Sequence, residues 1–108
     1  MLVGTKDSEE HPVLVTPWSF IHLAAGAAAR SYMGFVAAEL AHLLYEAVGS
    51  KRIFRAAGFQ VKAPSSTWNS VGDQLVFTVG YVYMPTHMDW TWATVAGFVL
   101  FSAYGIEF

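Results

Sequence analysis

Apolar and polar positions divide the chain into four long apolar runs separated by short polar breaks. The most distinctive is residues 34–49, G-F-V-A-A-E-L-A-H-L-L-Y-E-A-V-G, apolar on nearly every face yet holding Glu39, His42 and Glu46. Their i, i+3, i+7 spacing puts all three on one face of a helix. The other faces carry Val36, Leu40, Leu43 and Leu44, which suit lipid or neighbouring helices. Residues 12–29 form an earlier run in which His22 is the only titratable group. Thr16 and Pro17 open its regular helix. Its end, residues 24–29, is all Ala and Gly, small enough to let two backbones approach. Residues 67–84 begin with Asn69, Asp73 and Gln74 and then turn apolar, with Gly72 and Gly80 on one face and Ser66 or Thr67 as the N-cap. Residues 90–106 carry no charge.

Runs of this length approach the roughly 20 residues that cross about 30 Å of hydrocarbon. The pattern therefore predicts an all-α fold, a polytopic transmembrane bundle of about four helices. Its spans lie near 12–29, 33–49, 67–84 and 90–106, as two tight hairpins joined by a loop at 50–66. Residues 1–11 read as a short polar tail, without the basic start of a secretory signal or the arginines of a presequence. The loop holds Lys51, Arg52, Arg55 and Lys62 interleaved with Ile53, Phe54 and Phe59, an amphipathic pattern for lipid headgroups or a protein partner. Four spans put these cations and Lys6 on one side and leave Arg30 on the other, so both termini and the loop face the cytoplasm or its equivalent.

Composition agrees with that picture. All 108 residues fit a single domain, 13% of them are charged and 16% aromatic, against a usual charged share of about 25%. A net charge of −2 without a basic patch excludes nucleic acid as a partner. The absence of Cys excludes disulfides and thiolate metal sites. No Gly-rich phosphate loop, G-x-S-x-G or His-Glu-x-x-His motif is present, so no residue is assigned as catalytic. The predicted role is structural: a scaffold subunit of a larger membrane-associated assembly, with lipids and other subunits as partners and no cofactor.

The chemistry worth weighing against that role lies in the apolar runs themselves. His22, Glu39, His42, Glu46, Asn69 and Asp73 make a candidate polar cluster. The commonest use of such residues is to hydrogen-bond helices together, with Thr16 and Thr78 as further partners. The alternative is a membrane-embedded enzyme, or a protein that handles protons or a divalent metal. Glu39-x-x-His42 has the spacing by which di-iron bundles present two ligands from one helix. Those bundles use two such motifs and two further Glu, whereas this chain has one. His22 and Asp73 would complete a mononuclear set with Glu39 and His42.

The order of motifs also resembles a known group. F-I-H-L-A-A-G, then E-L-A-H-L-L-Y-E, a basic loop, and W-N-S-V-G-D-Q-L-V-F-T-V-G-Y are similar to small VanZ-like and YjdF-type integral membrane proteins over roughly residues 17–84. His22, Glu39, Glu46, Asn69, Asp73 and Gly80 match the group's pattern. Thr78 stands where an Asn is often seen, and His42 is outside the pattern. The resemblance implies a helical membrane fold and no established activity.

Overall fold

A computed structural model describes residues 2–8, 10–49 and 66–104. They form four α-helices: α1 (Ser19–Ala29), α2 (Phe35–Gly49), α3 (Thr67–Tyr83) and α4 (Trp90–Ala103). His42 meets Gln74 and Phe35 meets Tyr81, so α2 runs antiparallel to α3. Trp18 lies edge-on to Phe98 and Phe101 while Tyr32 bonds Thr91, so α4 runs antiparallel to α1. The central pair, α1 and α3, is parallel; Arg30 at the end of α1 donates to Val82 O and Met84 O at the end of α3.

These helices do not build the expected transmembrane bundle. Among the described residues no helix is long and apolar enough to cross a membrane. The longest, α3, has 17 residues, roughly 25 Å at about 1.5 Å per residue, and its first half is polar. α1 has 11 residues, roughly 16 Å against a hydrocarbon layer of about 30 Å. The four spans, the integral-membrane location with its cytoplasmic orientation, and the membrane fold implied by the VanZ-like resemblance are accordingly corrected. The basic loop with Lys51, Arg52, Arg55 and Lys62 lies outside the described residues.

The first apolar run is cut short by hydrogen bonds that its own polar neighbours supply. Val15 pairs with the N-terminal segment across an isolated parallel bridge, its N–H reaching Leu2 O at 2.9 Å and its O accepting from Gly4 N at 3.1 Å. The Thr16 N–H donates to Ser19 Oγ at 3.0 Å, and Ser19 N–H returns to Thr16 O at 2.9 Å. Backbone groups that would otherwise demand a helix are thus satisfied in an extended segment and a cap. Asp7 fixes this segment to α3: it accepts from Val13 N at 2.8 Å, from Ser66 N at 2.8 Å and from Ser66 Oγ at 2.7 Å. Ser66 in turn caps α3, accepting from Asn69 N at 3.0 Å.

Small residues set the distance between α1 and α3. Ala24, Ala27 and Ala28 of α1 are buried, and Gly26 meets the α3 backbone. A Cβ on Gly26 would lie 2.0 Å from Phe77 O, and one on Gly80 would lie 2.0 Å from Leu23 O. Neither obstacle is a side chain that could swing away, so a methyl at either position must push the backbones apart. Gly80→Ala is therefore expected to lower unfolding stability by about 1–3 kcal/mol despite the better helix propensity of Ala. Gly34→Ala, where nothing lies within 4 Å of the added Cβ, is expected to stay within about 0.5 kcal/mol of wild type. Urea titrations of the two variants beside wild type check this; equal stabilities would remove the close-contact argument.

Candidate functional site

The α1–α3 contact face carries more than small residues. His22 sits one turn before Gly26, and Asp73 two turns before Gly80, so both point along the seam that the glycines close. His22 Nε2 lies 3.3 Å from Asp73 Oδ2. From the other side α2 leans on α3 and delivers the polar face of residues 39, 42 and 46. His42 stacks on Phe77 with ring centroids 4.1 Å apart and meets the His22 ring edge-on at 5.1 Å.

A chain of hydrogen bonds runs across the three helices, and its donors can be assigned from one end. Gln74 Nε2 donates to Glu39 Oε2 at 2.5 Å, which leaves Gln74 Oε1 to accept from His42 Nδ1 at 2.7 Å. With the proton on Nδ1, neutral His42 presents a lone pair at Nε2. That nitrogen is 2.8 Å from His22 Nδ1, which must then donate to it. Glu39 also accepts from Thr78 Oγ1 at 2.8 Å, so its carboxylate faces α3 and serves as the far end of the chain.

Glu46 closes the cluster. Its Oε1 lies 3.6 Å from both His22 Nδ1 and His42 Nε2. These are not ion pairs, because neither imidazole is charged near neutral pH. Burial, aided by the neighbouring His42, lowers the His22 pKa to about 3. Burial likewise lowers His42, against the opposing pull of Gln74 and Glu39. Burial raises the pKa of Glu46, opposed by hydrogen bonds from Ser70 and Asp73. Asp73 is raised by burial, by the Glu46 charge and bond, and more distantly by Asp7, while a Ser19 hydrogen bond opposes the rise. Both carboxyl groups are therefore held towards the protonated form. Glu46 Oε1 and Asp73 Oδ1 are buried with no hydrogen-bond partner.

The candidates named from sequence thus separate into three positions. His22, His42 and Glu46 bring one ligand atom each to a common point, all within 4.8 Å of one another. Asp73 stands behind His22, and Glu39 stands behind His42 through Gln74. Asn69 does something else: its Nδ2 donates to Val13 O at 3.0 Å and pins the N-terminal segment. Gln74 was not among the candidates, since a polar residue near the start of a helix reads as a solvated first turn. Its only signal was its place one residue after Asp73 and four before Thr78.

The cluster forms one end of a cavity of about 310 Å³. Trp18, Ile21, Ala25 and Phe98 give it apolar walls, and Tyr45 stands beside the imidazoles, its ring centroid 6.1 Å from that of His22. No protein-family model, curated protein or solved structure matches the chain, so its function is argued from this site.

The buried pair has a consequence for stability. A carboxyl whose folded pKa is raised stabilises the fold fully below its unfolded pKa of about 4 and loses that contribution as pH climbs through the folded value. His22, lowered to about 3, acts oppositely and weakens the fold as pH drops below about 6.5. In chelator-containing buffer, wild type is expected to lose stability between pH 6 and 9, and Asp73→Asn to lose distinctly less over that range. Denaturation midpoints at several pH values check this; parallel curves would show that Asp73 is ionised throughout.

Proposed function

We propose that this protein binds a divalent transition-metal ion through His22 Nδ1, His42 Nε2 and Glu46 Oε1. The observation that carries the reading is the convergence of these three atoms, with mutual separations of 2.8, 3.6 and 3.6 Å. Ligand atoms about 2.0–2.1 Å from a tetrahedral ion stand roughly 3.3 Å apart, so shifts of about half an ångström would suffice. Each imidazole is also held at its other nitrogen, His42 by Gln74 and His22 by Asp73. Such partners fix the ring and its tautomer in metal sites.

A purely structural network fits less well. Hydrogen-bonded polar cores leave few buried acceptors unpaired, whereas here Glu46 Oε1 and Asp73 Oδ1 are both unpaired, and the former lies 3.6 Å from a ring nitrogen of each histidine. Three protein ligands beside a cavity form the open arrangement of catalytic sites, where the ion keeps a position for water or substrate; structural sites close with four. Two neutral imidazoles and one carboxylate suit zinc or ferrous iron. When bound, the ion would supply Lewis acidity to whatever occupies the cavity.

Protein purified without chelator and titrated with cobalt(II) is expected to bind one ion per chain and to develop visible d–d absorption. Glu46→Gln and His42→Ala should weaken binding at least 100-fold, and Gln74→Leu, which frees the His42 ring, by about 10–100-fold. Absence of stoichiometric binding in folded wild type would overturn the reading. Since both imidazoles must be neutral and Glu46, whose pKa burial raises, must be ionised, affinity should rise with pH.

A second reading, a subunit of a larger protein assembly, is supported by the outer faces of the bundle. Val36, Leu40, Leu43 and Leu44 along α2 are each more than half exposed, as are Trp92, Val99 and Leu100 on α4. Patches of that kind commonly mark interaction surfaces. Sedimentation is expected to show self-association at micromolar concentration, reversed in Leu40→Glu/Leu44→Glu; a monomeric wild type would count against it.

A further inference from the structure

The metal reading leaves open what the adjoining cavity admits, and the fate of its polar wall atoms narrows that. Thr94 Oγ1 donates to Trp90 O at 2.8 Å, one turn back in its own helix, so that hydroxyl is already committed to the backbone. The Asn69 amide nitrogen is spent on Val13 O. Trp18, Ile21, Ala25 and Phe98 are apolar, and no Lys or Arg among the described residues lines the cavity. The His22–His42–Glu46 group lines it together with Thr16, Tyr45 and Asp73. Phe98 in the apolar wall is 47% exposed. At about 310 Å³ the space sits at the small end of ligand pockets.

We propose that this cavity binds a small molecule with an apolar body and one oxygen-bearing head, the body lying against Trp18, Ile21, Ala25 and Phe98 and the head meeting the ion held by His22, His42 and Glu46. The proposal rests on the metal reading and adds the ligand class. With one carboxylate and two neutral imidazoles around it, a divalent ion would keep a positive charge for the oxygen head to meet. A molecule without an apolar body would leave the aromatic and aliphatic walls unfilled.

The test uses straight-chain alkyl hydroxamic acids, which give up a proton and ligate a metal through oxygen as the hydroxamate, titrated into the cobalt(II)-loaded full chain and followed by visible absorption. Affinity is expected to rise about fourfold per added methylene, the factor that about 0.8 kcal/mol of burial gives, from the two-carbon to the six-carbon acid. Ala25→Phe should remove that rise while leaving cobalt uptake unchanged. Should Ala25→Phe fail to fold, Thr94→Leu on the peripheral helix α4 serves the same purpose and should reduce the rise. Cobalt bound with no dependence on chain length would overturn the ligand class alone. So would a rise equally steep in the filled variants, or hexylamine, which lacks an oxygen head, competing as well as hexanamide. No cobalt binding by folded protein would overturn both readings, and its absence before any hydroxamate is added tells the two failures apart.

Discussion

The approach of α1 to α3 is the constraint on which the rest depends. With Gly26 against Phe77 O and Gly80 against Leu23 O, the two backbones touch where any side chain would separate them. Because His22 is four residues from Gly26 and Asp73 seven from Gly80, both lie on the faces that make this contact. The spacing that lets backbones meet is therefore also the spacing that brings an imidazole to 3.3 Å from a carboxyl group. Moving the helices apart by one methyl would lengthen that contact as surely as it would loosen the packing. Stability and site are here one geometric condition.

The second consequence is an unusual distribution of polarity. The interior holds Thr16, Ser19, His42, Glu46, Asn69 and Asp73, whereas the large aliphatic residues of α2 and α4 look outward. An interior of this kind contributes little hydrophobic stabilisation and carries the cost of desolvating polar groups. That cost is limited because burial favours the neutral forms of both imidazoles and of the Glu46 and Asp73 carboxyl groups. The N-terminal segment adds further hydrogen bonds through Asp7, which joins Val13 to the Ser66 cap of α3.

How much of this was written in the sequence differs from element to element. The helices at 33–49, 67–84 and 90–106 stand nearly where apolar periodicity places them, as α2, α3 and α4. In the first run the helix begins at Ser19, close to Thr16 and Pro17 where it was expected to open, while the extended pairing of residues 12–15, held by Asp7 and Leu2, has no periodic signature. The same run misled the reading towards a membrane, since hydropathy records how apolar a stretch is and not how far a helix extends. For the site, the shared face of Glu39, His42 and Glu46 was legible from spacing alone. Which neighbour pairs with His42 was not. The Glu39-x-x-His42 spacing suggests two ligands, but α3 places Gln74 and Thr78 over Glu39 and takes its carboxylate as an acceptor. The partner that remains is Glu46, one turn the other way.

The direction of the hydrogen-bond chain gives this arrangement its chemical sense. Starting at Glu39, each acceptor dictates the next donor, and the assignment ends with a lone pair on His42 Nε2 and a proton on His22 Nδ1. In that state one imidazole bonds the other and Glu46 Oε1 is left facing both without a partner. For an ion to sit among the three, the His22 proton must leave Nδ1, and Asp73 Oδ2 at the other ring nitrogen is placed to accept a hydrogen bond from the alternative tautomer. The ring can then turn its lone pair inward without either nitrogen losing a partner. Asp73 behind one histidine and Gln74 behind the other hold each ring from outside, which is what the proposed metal site would require while the inner nitrogens stay free.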